Sequence, residues 1–206
     1  MNDHIAELLN RYPDLNDCAR DIERTFLTLG DCYSAGGKVL ICGNGGSAAD
    51  AEHWSGELLK GFHKGRPLPN EALETLGPEL ASKLQGALPT IPLTGFLALS
   101  SAYANDANPK HIFAQLVWGL GNTGDVLIAI STSGKSENIL LAAETAKAKG
   151  LTVIGLTGAD GGDLYSLSDV TIRVPATVVH HIQEYHLPIY HCLSMMLEDA
   201  FFPSDK

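Results

Sequence analysis

His53 and Glu57 stand four residues apart in Ala51-Glu-His-Trp-Ser-Gly-Glu57, and Gln183 and His191 lie in Ile182-Gln-Glu-Tyr-His-Leu-Pro-Ile-Tyr-His191. On a helix, residues at steps of four share a face. Each pair therefore presents its polar groups together, with Asp50 one turn before His53, and His180 and Glu184 adjoining the second face. Two imidazole nitrogens, a carboxylate and an amide oxygen make a mixed donor set suited to zinc. A carboxylate and an imidazole also suit proton transfer near neutral pH. Neither stretch is a recognised zinc motif, so spacing alone leaves surface or core histidines as the alternative.

Two further stretches suit an anionic ligand. Gly43-Asn-Gly-Gly-Ser-Ala48 and Ser131-Thr-Ser-Gly-Lys-Ser136 each follow a short apolar run and precede a helical pattern. Such turns offer free N–H groups and hydroxyls to an oxyanion. The first matches the G-x-G-x-x-A dinucleotide fingerprint but fails its context. The acidic residue that should end a second strand some twenty positions on is absent, and His63-Lys-Gly-Arg-Pro67 stands there instead. The second resembles the end of a P-loop, but the first glycine of that motif would fall on Ala129, inside the apolar run. Two Gly/Ser/Thr turns at equivalent places argue instead for a phosphate-bearing ligand beyond the strand ends.

The elements that must position these groups alternate along the chain. Residues 3–35 read as two helices broken at Tyr12-Pro13-Asp14, with Asp14 or Asn16 as a cap for the second. Lys38–Cys42, Val126–Ile130, Leu151–Leu156 and Asp169–Val174 are unalternating apolar runs, the pattern of strands covered on both faces. Helices are expected over Glu137–Lys149 and from about Val178 to Phe201, the latter kinked at Pro188. This order predicts an α/β fold with a parallel sheet wrapped by helices. Residues 63–92 break the rhythm. They carry five prolines and a short helix at Asn70–Leu76, as a lid, an interface arm or a mobile loop would.

At 206 residues the chain reads as one domain. Its formal charge of −10 argues against a nucleic-acid-binding surface, though backbone amides can still hold a small phosphate. Four cysteines without C-x-x-C spacing, no signal-peptide core and no apolar run of membrane-spanning length predict a cytoplasmic protein.

GNGGSAADAEH with Glu57, the ISTSGKS turn, LTGADGG at 156–162 and IQEYHLPIYH occur in this order and resemble the phosphoheptose isomerases of the sugar isomerase (SIS) domain family. The resemblance covers nearly all of the chain outside residues 63–92. It implies a three-layer, flavodoxin-like sandwich over residues 1–206, a homotetramer with shared active sites, and one zinc ion per subunit. The reaction it implies is conversion of sedoheptulose 7-phosphate to D-glycero-D-manno-heptose 7-phosphate through an enediolate. Position by position, the implied zinc ligands are His53, Glu57, Gln183 and His191, with Glu57 and His191 as the acid–base pair. Implied substrate contacts are Asn44, Gly45, Gly46, Ser47, Glu57, Asn105, Asp106 and Gln183, with Ser131, Thr132, Ser133 and Ser136 around the phosphate.

The chain departs from the family pattern in three places. His180 stands where the family commonly has Asp. Leu58-Leu-Lys-Gly-Phe62 replaces a Gly-Arg-aromatic stretch, with Lys60 as a substitute cation that lacks a bidentate fork. Residues 63–92 are longer than usual. A different sugar phosphate is one alternative these departures raise. The other is a non-catalytic relative that binds a replication initiator or another partner. Phe201-Phe202-Pro203 resembles that branch, whereas the complete ligand set favours the enzyme.

Overall fold

The computed structural model describes residues 2–203. Five strands form one sheet: β1 (Val39–Cys42), β2 (Thr90–Pro92), β3 (Val126–Ile130), β4 (Thr152–Thr157) and β5 (Val170–Arg173). All neighbours are parallel and the order is β2-β1-β3-β4-β5. This is the flavodoxin-like order, with its switch point between β1 and β3. Register pairs Val39 with Val126 and with Thr90.

Because successive strand residues point to opposite faces, each strand feeds two cores. Val39, Ile41, Ile128 and Ile154 enter one, against helices α1 (Asp3–Arg11), α2 (Ala19–Ser34), α3 (Gly46–Leu59) and α10 (Val179–Phe201). Leu40, Cys42, Leu127 and Val153 enter the other, against α7 (Ile112–Leu120), α8 (Glu137–Ala148) and α9 (Gly162–Leu167). The three-layer α/β sandwich follows. Both His-bearing helices, α3 and α10, lie in the same outer layer.

Four of the five strands sit where the apolar runs predict them. The fifth, β2, lies inside the segment read as irregular. It is only three residues long and ends in Pro92, which an edge position tolerates because one side of the strand makes no ladder bonds. The expected helix at Asn70–Leu76 is present as α4, followed by α5 (Pro78–Ala81). The expected Asp14 or Asn16 cap is not formed. A 3-10 turn over Pro13–Cys18 leads straight into α2, while Asn16 donates to the Pro13 carbonyl and Asp14 accepts from the Tyr185 hydroxyl. Helix α10 continues through Pro188, which is buried in it. No helix among the described residues is long and apolar enough to cross a membrane.

Candidate active site

The first turn joins β1 to α3, and the second joins β3 to α8, so the two flank the switch point of the sheet. They are tied to each other: Asn44 and Asn138 exchange two amide hydrogen bonds of 2.9 Å. In the first turn Ser47 N–H donates to the Asn44 carbonyl, and Ser47 is buried. Gly46 lies directly beneath the Gln183 amide, where a Cβ would come within 2.5 Å of Nε2. In the second turn Ser131 donates to the Ser136 hydroxyl at 3.2 Å, and Ser133 Oγ accepts from the Lys135 N–H. Gly134 has φ +65°, and its position against the Gly161 carbonyl leaves no room for a Cβ. That close approach holds the second turn against the start of α9.

Packing of α10 beside α3 brings His191 to the predicted His53–Glu57 pair. Ligating atoms of His53, Glu57 and His191 all lie within 4.8 Å of one another. His53 Nε2 is 3.1 Å from Glu57 Oε1, and the His53 and His191 rings meet edge to face at 5.2 Å. The Phe62 ring also lies against His191, with centroids 5.2 Å apart and planes tilted by 40°. Burial and the neighbouring His53 push the His191 pKa below the ordinary histidine value, so its ring is neutral near pH 7 and open to a proton or a metal.

The donor chemistry fits zinc. Glu57 Oε2 and His191 Nε2 are buried without a hydrogen-bond partner among the described residues. An orphaned pair of acceptor-capable atoms is costly unless something positive satisfies it. Two imidazoles and a carboxylate at one point are ligands that Zn²⁺ takes. Gln183, two turns before His191 on α10, places its side-chain amide against Gly46 of the first turn.

Asn105 and Asp106 make no hydrogen bond to this cluster among the described residues. They sit exposed at the end of α6 (Leu97–Asp106), where Asn105 donates to Asp106, and α6 packs chiefly against α7 and the 109–111 turn.

Several residues that shape the site escape the sequence reading. Tyr190 is fully buried, and its hydroxyl lies 2.9 Å from His53 Nδ1 and 3.4 Å from Asp50 Oδ1. Asn138 ties the two turns. Arg66 and Glu198, each 1% exposed, form a buried ion pair at 2.7 Å. Arg66 also donates to the carbonyls of Glu57 and Leu58, clamping the end of α3. Lys60, the expected substitute cation, donates to the neighbouring Gly61 carbonyl. Phe202 lies under the Arg66 guanidinium at 4.8 Å, and Phe201 meets Tyr33 edge to face. These two phenylalanines are packing residues of the core rim rather than a free binding motif.

The sequence profile of the SIS domain matches residues 3–158. A phosphoheptose isomerase of Shewanella denitrificans is 40% identical over 188 residues, covering 90% of this chain and 86% of that protein. One from Shewanella baltica is 41% identical over 178 residues, with 85% and 81% covered. Among solved structures, a phosphoheptose isomerase from Francisella tularensis superposes with TM-score 0.78 at 36% identity, covering 92% of this chain and 91% of that one. Another from Neisseria gonorrhoeae gives 0.77 at 30% identity, with 96% of each chain covered. With these relatives covering most of both chains at 30–41% identity, the chain belongs to the phosphoheptose isomerase family of SIS-domain proteins and is a sugar-phosphate isomerase.

Proposed function

We propose that this isomerase interconverts sedoheptulose 7-phosphate and D-glycero-D-manno-heptose 7-phosphate, with Glu57 and His191 as its acid–base pair. The convergence of Glu57, His191 and His53 beside the two turns carries this reading. Moving a carbonyl from C2 to C1 requires loss of a proton from C1, transfer of the hydroxyl proton from O1 to O2, and delivery of a proton to C2. One carboxylate and one neutral imidazole can divide these transfers.

Asn44, Gly45, Gly46 and Gln183 would orient the carbonyl end, with Ser47 beneath. The hydroxyls and N–H groups of Ser131, Thr132, Ser133 and Ser136 would hold the phosphate, needing no net positive charge. His53, Glu57, Gln183 and His191 would hold a zinc ion, which when bound supplies positive charge next to oxygens on which negative charge develops.

We read the chain as one SIS domain acting in a homotetramer. Helix α6 buries none of its residues and Leu97 is 82% exposed, as expected of a surface covered by another copy. A site shared between copies would also give Asn105 and Asp106 a substrate to touch. Four buried, free cysteines suit a reducing cytoplasm.

The test is turnover of sedoheptulose 7-phosphate, with zinc measured on the same sample. Wild type should isomerise it and carry about one zinc per subunit. Glu57→Gln should lose activity by at least the 10²–10⁴-fold range of acid–base residues. Stripping the metal should lower activity and melting temperature together. No turnover of heptulose phosphates and no bound metal would sink the assignment. Turnover of a five- or six-carbon ketose phosphate alone would keep the reaction and change the substrate.

A further inference from the structure

While His53 Nε2 faces Glu57, its other ring nitrogen, Nδ1, meets a second polar pair, Tyr190 and Asp50, and the Tyr190 ring also lies edge-on to His191 with centroids 5.0 Å apart. Tyr190 is fully buried and stacks on Trp54 with ring centroids 5.6 Å apart and planes 19° apart, so its ring cannot pivot freely. Its hydroxyl meets His53 Nδ1 at 2.9 Å and lies 3.4 Å from Asp50 Oδ1. Asp50 Oδ2 is buried without a partner among the described residues, so the Tyr190 hydroxyl is the hydrogen bond this carboxylate has.

The direction of these bonds follows from the inventory of donors and acceptors. An ionised carboxylate only accepts, a phenol donates one proton while accepting another, and a neutral imidazole carries its proton on one nitrogen at a time. A metal takes a nitrogen lone pair, so a ring ligating through Nε2 must keep its proton on Nδ1, and that proton needs an acceptor. Here it goes to Tyr190 Oη, and the phenol proton goes on to Asp50. The opposite arrangement has Tyr190 donating to Nδ1 and Nε2–H donating to Glu57 at 3.1 Å. It leaves Asp50 with no donor and puts a proton where the ligand lone pair is needed.

We propose that Tyr190, backed by Asp50, is a positioning residue that holds His53 in the orientation and tautomer required to bind a metal through Nε2. This rests on the ligand set assigned under Proposed function. Tyr190 touches neither substrate nor metal; it acts through His53. The relay joins α10 to α3, so the helix that supplies His191 also orients the ligand on its neighbour.

Tyr190→Phe keeps the ring and its stack on Trp54 while removing the hydroxyl. Zinc affinity, measured by competition with a chromophoric chelator, should fall 10–100-fold, the usual effect of losing a partner behind a metal-ligating histidine. The metal-free variant should stay folded and melt a few degrees below wild type, because Asp50 loses its donor. In zinc-loaded wild type, imidazole NMR should show a His53 Nδ1–H proton in a hydrogen bond, and Tyr190→Phe should lose that signature. Asp50→Ala should weaken zinc binding in the same direction, and Asp50→Asn, whose amide oxygen still accepts, should restore part of it. These two decide the matter if the tyrosine variant fails to fold. Zinc binding in Tyr190→Phe within twofold of wild type overturns the proposal while leaving the ligand set standing. A wild type that binds no zinc overturns the ligand set and this proposal together.

Discussion

Glu198→Gln probes the brace that holds the end of α3, one turn from the chemistry. The Glu198 carboxylate accepts from the N–H groups of Phe62, His63 and Lys64 at 2.9, 2.8 and 3.0 Å, and from Arg66 Nε at 2.7 Å. Both side chains are almost wholly removed from water, so neutralising one leaves the other as an uncompensated buried charge. Breaking such a pair typically costs about 3–5 kcal/mol. Glutamine keeps one acceptor oxygen but turns an NH₂ toward donors, so the brace is not rescued by shape. At about 2–4 °C per kcal/mol for a domain of this size, melting should fall on the order of 10 °C at pH 7, measured by circular dichroism with a urea titration alongside.

The pH dependence gives a second reading of the same group. Burial pushes the Glu198 pKa up, but the Phe62 N–H, Arg66 and the His63 N–H outweigh it, and the net displacement is downward from 4.5. With the folded value depressed, this stability is complete above pH 4.5 and is lost as pH falls through the folded value. The gap between wild type and Glu198→Gln should therefore narrow in acid. A loss under 1 kcal/mol at neutral pH, or a gap that stays constant into acid, would refute the reasoning. Replacing both partners, as in Arg66→Met with Glu198→Leu, should recover only part of the loss, because three backbone N–H groups still lose their acceptor.

Two other perturbations read different layers of the structure. His186 is fully buried, with Nδ1 lacking a partner among the described residues and Nε2 3.4 Å from the Thr157 carbonyl, and burial lowers its pKa from 6.5 to about 4. The unfolded chain takes that proton first, so stability is full above pH 6.5 and declines by roughly 3 kcal/mol down to pH 4. His186→Met should flatten that part of the stability profile, and an unchanged slope in urea titrations across this range would count against it. Gly46→Ala would place a Cβ 2.5 Å from Gln183 Nε2 and 2.9 Å from Oε1, forcing the amide aside. We expect kcat/KM to drop about tenfold or more with little change in melting, which corresponds to about 1.4 kcal/mol of lost transition-state binding; unaltered kinetics would remove Gln183 from the site.

Local features of the sequence were enough for much of the architecture. Runs such as Val126–Ile130 are buried on both faces, so their composition reports a covered parallel strand without reference to any partner. The four-residue step from His53 to Glu57 is a property of one helix, and so is the position of a Gly/Ser turn after a strand. What required the tertiary structure is everything set by contact between distant segments. His191 reaches His53 only because α10 packs beside α3, and Tyr190 is distinguishable from any other core aromatic only once its hydroxyl is seen against Nδ1. Nothing local in His63-Lys-Gly-Arg-Pro67 marks Arg66 for burial; Glu198, from the far end of the chain, accompanies it into the core. Thr90–Pro92 is too short to carry a strand pattern, and its pairing with Val39–Ile41 makes it one. Periodicity records which face of an element is buried. Which two faces meet is decided by packing between elements far apart in the chain, and in this protein the donor atoms of the candidate site come from such a meeting.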